Sequence, residues 1–265
     1  MFSPPSTTRE RTLKTFLNRV PQITLVFWLI KMMSTTVGET AADYLQFNMH
    51  LGMNTTLTLM SGLLVAALVA QFAVKRYIPA VYWTVVVLIS IVGTLITDNL
   101  VDNFGVSLVT TTLIFSIGLI VVLGVWYALE RTLAMKSITT ARSESFYWLA
   151  ILFTFALGTS AGDLFAEHYG LGYGPSLLMF AGLIGLVALA RYAFKLDSVI
   201  AFWIAYVLTR PLGASAGDLL AQSPSHGGLG LGVTGTSEVF LVIIVALIIY
   251  LSVQQRRRKL VTEIA

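Results

Sequence analysis

The sequence predicts an all-α polytopic membrane protein: eight transmembrane helices forming four tandem helical hairpins with parallel internal pseudo-symmetry, both termini cytoplasmic. Three observations lead there. Of 265 residues, 56% are hydrophobic and 11% charged, with mean hydropathy +0.82, far too apolar for a soluble domain. A motif of Trp, nine residues, Gly, four residues and Asp recurs as Trp28/Gly38/Asp43, Trp83/Gly93/Asp98, Trp148/Gly158/Asp163 and Trp203/Gly213/Asp218. Lys and Arg gather in alternate connections and leave the others empty.

In chain order, residues 1–20 are polar and basic, without the apolar core and cleavage site of a signal peptide, and read as a cytoplasmic tail. Spans are then expected at about 21–45, 54–74, 80–101, 106–129, 146–168, 175–194, 199–221 and 235–254, each an apolar run of membrane-crossing length. Backbone polar groups in lipid must be bonded internally, and the short alternating strands of a barrel are absent, so the spans are helices. Residues 21–129 form a first half of two repeats and 146–254 a second. The polar linker 130–145 joins them, and a basic tail, 255–265, closes the chain.

Arg9, Arg11, Lys14 and Arg19 precede the first span; Lys75 and Arg76 follow the second; Arg131, Lys136 and Arg142 follow the fourth. Arg191 and Lys195 follow the sixth, and Arg256, Arg257, Arg258 and Lys259 follow the eighth. Fifteen of the 17 basic residues thus fall on one side, which places that side and both termini in the cytoplasm. The net charge of +4 is therefore a topology signal suited to an anionic inner leaflet, with the lipid bilayer as partner and no nucleic acid. With no cysteine there is no disulfide, thiolate metal site or cysteine nucleophile.

The Trp-to-Trp offsets are 55, 65 and 55 residues, each covering two spans, so all four motif helices enter from the cytoplasm. Fifteen helical residues put Trp and Asp roughly 22 Å apart. Trp28, Trp83, Trp148 and Trp203 are expected as interface anchors, and the four aspartates lie at one depth in the outer half of the membrane. Gly38, Gly93, Gly158 with Gly162, and Gly213 with Gly217 supply the small-residue spacing of close helix packing, which predicts an inner ring of motif helices.

Here the sequence resembles a family of bacterial integral membrane proteins built from four tandem two-helix repeats of unknown function, each with a characteristic Trp: Trp28, Trp83, Trp148 and Trp203. The resemblance covers about residues 20 to 254 and implies a bacterial inner-membrane location, but no activity.

An ionised carboxylate at the centre of a membrane helix costs about 2.5–3.5 kcal/mol, so a carboxylate repeated at one depth needs a reason. Asp43, Asp98, Asp163 and Asp218, with Glu39, Thr94, Thr159, Ser160 and Ser215 one turn or less away, form a candidate cation-binding set of hard oxygen ligands, the metal unspecified. The bland alternative has these aspartates capping helix ends. Three further charges are candidate partners within spans: Arg210, expected to pair with Glu39 or an aspartate; Lys31, expected to snorkel to the interface; and Glu238 near the outer side. His50, His168 and His226 lack paired zinc-ligand spacing. Met32, Met33, Met49 and Met53 read as apolar filler before copper ligands, and the Gly-rich stretch 223–236 lacks the GK[ST] ending of a phosphate loop.

The leading expectation is a transporter of a small cation, a divalent metal or sodium or one coupled to protons, through a cavity lined by the aspartates, with no catalytic residue and no cofactor. The alternatives are a membrane-embedded sensor or scaffold, in which Lys31 is also a candidate chromophore attachment, and a lipid-modifying enzyme. The enzyme lacks a nucleophile motif or His-box. Self-association is a further candidate partnership.

Overall fold

The computed structural model describes residues 18–264, without the side chains of Phe47 and residues 258–264. Most of the expected tail 1–20 lies outside the described residues. Eight long helices follow: α1 (Leu25–Asp43), α2 (Met53–Val74), α3 (Pro79–Asp98), α4 (Leu108–Glu130), α5 (Ala141–Asp163), α6 (Tyr173–Ala193), α7 (Ser198–Ala221) and α8 (Gly232–Ile264). Seven of them are long and apolar enough to cross a membrane. The exception, α1, carries Lys31, Glu39 and Asp43 among Ser and Thr, and it turns most of that polarity inward.

Local chemistry sets the helix starts. The Thr24 hydroxyl accepts from the Phe27 N–H, Pro79 opens α3, and Ser107 caps α4 through the Thr110 N–H. A reciprocal Thr140/Ser143 capping box begins α5 at Ala141, five residues before the expected span, so the linker is shorter than 130–145. Asp197 caps α7 by accepting from the Val199 and Ile200 N–H groups, and these bonds hold its carboxyl below the usual range. The residues after Leu251 are good helix formers without a breaker, so α8 continues to Ile264 where a separate tail was expected. Basic residues in the left-handed conformation, Lys75 and Arg131, end α2 and α4, where a cation also complements the helix dipole.

The motif helices α1, α3, α5 and α7 pack in sequence around a closed ring, α7 returning to α1. Over their membrane-length windows α3, α5 and α7 are 61–67% buried, against 11–22% for α2, α4, α6 and α8, which form an outer layer facing lipid. The hairpin expectation needs a correction. Each outer helix packs chiefly on the motif helix of the following repeat, and α8 closes the circle onto α1. On α4 this contact is a narrow stripe of Thr111, Phe115, Leu119, Val122 and Trp126.

Glycine makes the ring close. A Cβ on Gly38 would lie 1.8 Å from Ser90 Oγ, on Gly93 2.8 Å from Phe155 Cβ, on Gly158 2.1 Å from Arg210 Cγ, and on Gly213 1.6 Å from Thr35 Oγ1. Thr35, Ser90, Phe155 and Arg210 occupy one position of the repeat, so every junction is the same crossing. Gly162 and Gly217 extend two of these junctions, against Ala214 and Glu39.

Gly213→Val should lower stability by about 1–3 kcal/mol, the usual overpacking cost, whereas Gly62→Ala, mid-helix with no atom within 4 Å, should not lower it and should gain up to about 1 kcal/mol of helix propensity. Thermal unfolding in detergent measures both. The capping bonds that depress Asp197 stabilise the fold at neutral pH and are lost as pH falls through its lowered value. Asp197→Ala should therefore narrow the stability difference between pH 7 and pH 3.

Candidate functional site

Because the motif helices are equivalent, residues four apart stack as layers along the ring. From the Trp end these are Phe27/Tyr82/Tyr147/Phe202, then Lys31/Val86/Ile151/Tyr206, Thr35/Ser90/Phe155/Arg210, Glu39/Thr94/Thr159/Ala214, and finally Asp43/Asp98/Asp163/Asp218. The three middle layers are buried throughout.

The Trp-end layer is an aromatic plug. Tyr82 and Tyr147 hydroxyls hydrogen-bond to each other, and the ring of Phe27 lies 5.6 Å from Trp83, 6.2 Å from Phe202 and 6.4 Å from Tyr206. The tryptophans differ from expectation. Trp83, Trp148 and Trp203 are buried and Trp28 half-buried, because they fill the ring junctions instead of facing an aromatic belt at the lipid surface. Trp203 Nε1 donates to the Leu133 carbonyl and so ties the linker to the ring, and Trp148 Nε1 donates to Glu144 one turn earlier on α5.

Lys31 does not snorkel. It is fully buried, donates to the Tyr206 carbonyl at 2.9 Å and to Thr209 Oγ1, and lies 4.4 Å from the Tyr206 ring centroid and 5.3 Å from that of Phe155. A long stem pinned inside the ring by the α1–α7 contact has no path to the interface, and the two ring faces supply partial negative charge.

Arg210 is the centre of the site. Fully buried, its guanidinium reaches past the small Ala214 and touches the other three motif helices. Nη2 contacts Glu39 Oε2 at 2.9 Å, Thr159 Oγ1 at 2.7 Å and Thr94 Oγ1, while Nη1 donates to the Thr35 carbonyl at 3.1 Å. The Phe155 ring lies 5.5 Å away, between Arg210 and Lys31. Of the two partners open from sequence, Glu39 holds Arg210. Glu238 is exposed and joins no ion pair among the described residues, so its expected partnership is not formed.

The four aspartates lie one turn beyond. All are half-buried, and none belongs to an ion pair among the described residues. A π-helical turn begins directly after Asp43, Asp98 and Asp163, whereas α7 continues regularly past Asp218. Nothing in the sequence signals these wider turns, which are common at functional sites. Ser160 donates to the Leu157 carbonyl of its own helix, and the buried Ser215 hydroxyl has no partner among the described residues, so neither serine joins Arg210.

His50, His168 and His226 are exposed, and among the described residues no group of three or more His, Asp or Glu is disposed to hold a metal ion. A cavity of about 280 Å³ at the Trp end is lined by Asn18, Gln22, Leu133, Lys136 and Phe202 among others, far from the aspartates. Beside that end lies a pair invisible in the sequence. Arg19 meets the buried Glu144 at 2.6 Å, and Gln71 donates to the same carboxylate at 2.8 Å.

The repeat of unknown function DUF347 matches residues 26–77, 81–132, 146–197 and 201–257. The chain belongs to this family. Each DUF347 repeat here consists of two helices, as the resemblance implied, one in the ring and one outside it. No curated protein and no solved structure matches the chain.

Removing one member of a buried ion pair strands the other, at about 3–5 kcal/mol. Glu39→Gln should thus destabilise the ring strongly, and Glu39→Gln with Arg210→Gln should be more stable than Glu39→Gln alone. Unfolding midpoints of the two single variants and the double variant give the coupling.

Proposed function

We propose that this DUF347 protein is a transporter, not an enzyme, and that it moves a small cation between the aspartate layer and the Trp end of the ring. The carrying observation is that four equivalent, half-buried aspartates with no ion-pair partner among the described residues lie in one layer, one turn beyond the buried Glu39 layer. Like charges held together in a membrane protein are costly, and a positively charged visitor offsets that cost. The connections at this end carry Asp102 and Glu167 and no Lys or Arg, so the mouth attracts cations from solution.

The buried Arg210–Glu39 pair and the aromatic plug act as two closed gates in series. A cation reaching Glu39 competes with Arg210 for its carboxylate, which links ion entry to release of the inner gate. The termini and the Trp end face the cytoplasm in this reading, supported by the basic connections at that end, and the membrane is the bacterial inner membrane.

Proteoliposomes test the reading. Asp163→Asn and Asp218→Asn should each bring cation uptake down toward the empty-vesicle rate while the purified variants still elute as folded protein. Unchanged uptake of sodium, divalent metals and protons in both variants would remove the proposal.

A further inference from the structure

Arg210 fits its surroundings poorly in a particular way. A terminal guanidinium nitrogen carries two hydrogens, yet Nη2 faces three oxygens: Glu39 Oε2, Thr94 Oγ1 and Thr159 Oγ1. One of them therefore approaches the nitrogen without a proton of its own. Meanwhile Nε, equally buried, has no partner among the described residues. The fork is over-supplied at one tip and unsatisfied at its root, a mismatch that calls for explanation.

The oxygens suit a sphere better than a fork. Thr94 Oγ1 lies 3.3 Å from Glu39 Oε2 and 3.4 Å from Thr159 Oγ1. Oxygen ligands of a hard cation of calcium's size sit at about 2.3–2.6 Å, so two at right angles stand roughly 3.3–3.6 Å apart. The Thr35 carbonyl accepts from the other terminal nitrogen of the fork, Nη1, and adds a fourth oxygen around the guanidinium. The layer holds one carboxylate, two hydroxyls and the Ala214 methyl. Its formal charge of one matches the guanidinium it holds, and divalent sites usually gather several carboxylates.

We propose that Glu39, Thr94, Thr159 and the Thr35 carbonyl form a binding site for a monovalent alkali cation of about sodium's size, and that Arg210 is a tethered competitor occupying it. This names the substrate class of the transport reading and rests on it. The aspartate layer collects the ion, and binding one turn further in requires Arg210 to give up Glu39.

Ion-specific stabilisation tests this without any flux measurement. Purified protein is melted in NaCl, MgCl₂ and choline chloride at equal ionic strength. Arg210→Gln should show a saturable rise in Tm with sodium that choline does not give, abolished by adding Thr159→Val. Wild type should show a smaller rise that saturates at higher sodium, also lost in Thr159→Val, and this keeps the test decisive if Arg210→Gln does not fold. Identical Tm in sodium and choline would overturn the site, and so would stronger stabilisation by magnesium. Sodium-specific stabilisation without uptake would refute transport and keep the site; uptake without such stabilisation would do the reverse.

Discussion

A guanidinium buried in the middle of a membrane protein has to be neutralised and hydrogen-bonded, and most of this architecture follows from that requirement. Arg210 obtains its partners only if all four motif helices meet, because Glu39 and the Thr35 carbonyl come from α1, Thr94 from α3 and Thr159 from α5. Glycine at each junction allows backbones to come that close. Taking away one partner leaves a charge in a low-dielectric interior, so ring closure and charge pairing stand or fall together.

In the proposed transport reading, function enters where the fourfold repeat is broken. Gene-level repetition gives four equivalent helices, and a uniform ring would present four identical faces. Here one position carries Thr35, Ser90, Phe155 and Arg210, and the next carries Glu39, Thr94, Thr159 and Ala214. A single cation and a single anion placed on neighbouring helices make a pair that can be exchanged. The aspartate layer keeps the symmetry. The circular arrangement, with each outer helix leaning on the next repeat, links every repeat to its neighbour.

Much of this was legible beforehand because membrane helices obey few rules. Length and apolarity located the spans, and the spacing of Trp, Gly and Asp revealed both the repeat and the inner ring. The glycines were readable since close approach demands small residues wherever it occurs. What could not be read depended on partners distant in sequence. Lys31 looked shallow enough to reach water, but its neighbour Tyr206 is 175 positions away and holds it inside. The tryptophans matched an interfacial belt by depth, yet depth says nothing of whether a side chain points to lipid or to the next helix. The partners of Glu144, Arg19 and Gln71, are likewise distant in sequence, and the swap of outer helices between repeats leaves no trace in hydropathy.

The central claim is that a cation occupies the axis at the carboxylate end. Crystals of the wild-type protein exchanged into a thallium salt would report this directly, because Tl⁺ mimics alkali cations and scatters anomalously. The account predicts an anomalous peak on the ring axis among Asp43, Asp98, Asp163 and Asp218, or between them and Glu39. An axis without a peak, with the four carboxylates each bonded to amide donors of their own helix ends, would contradict it.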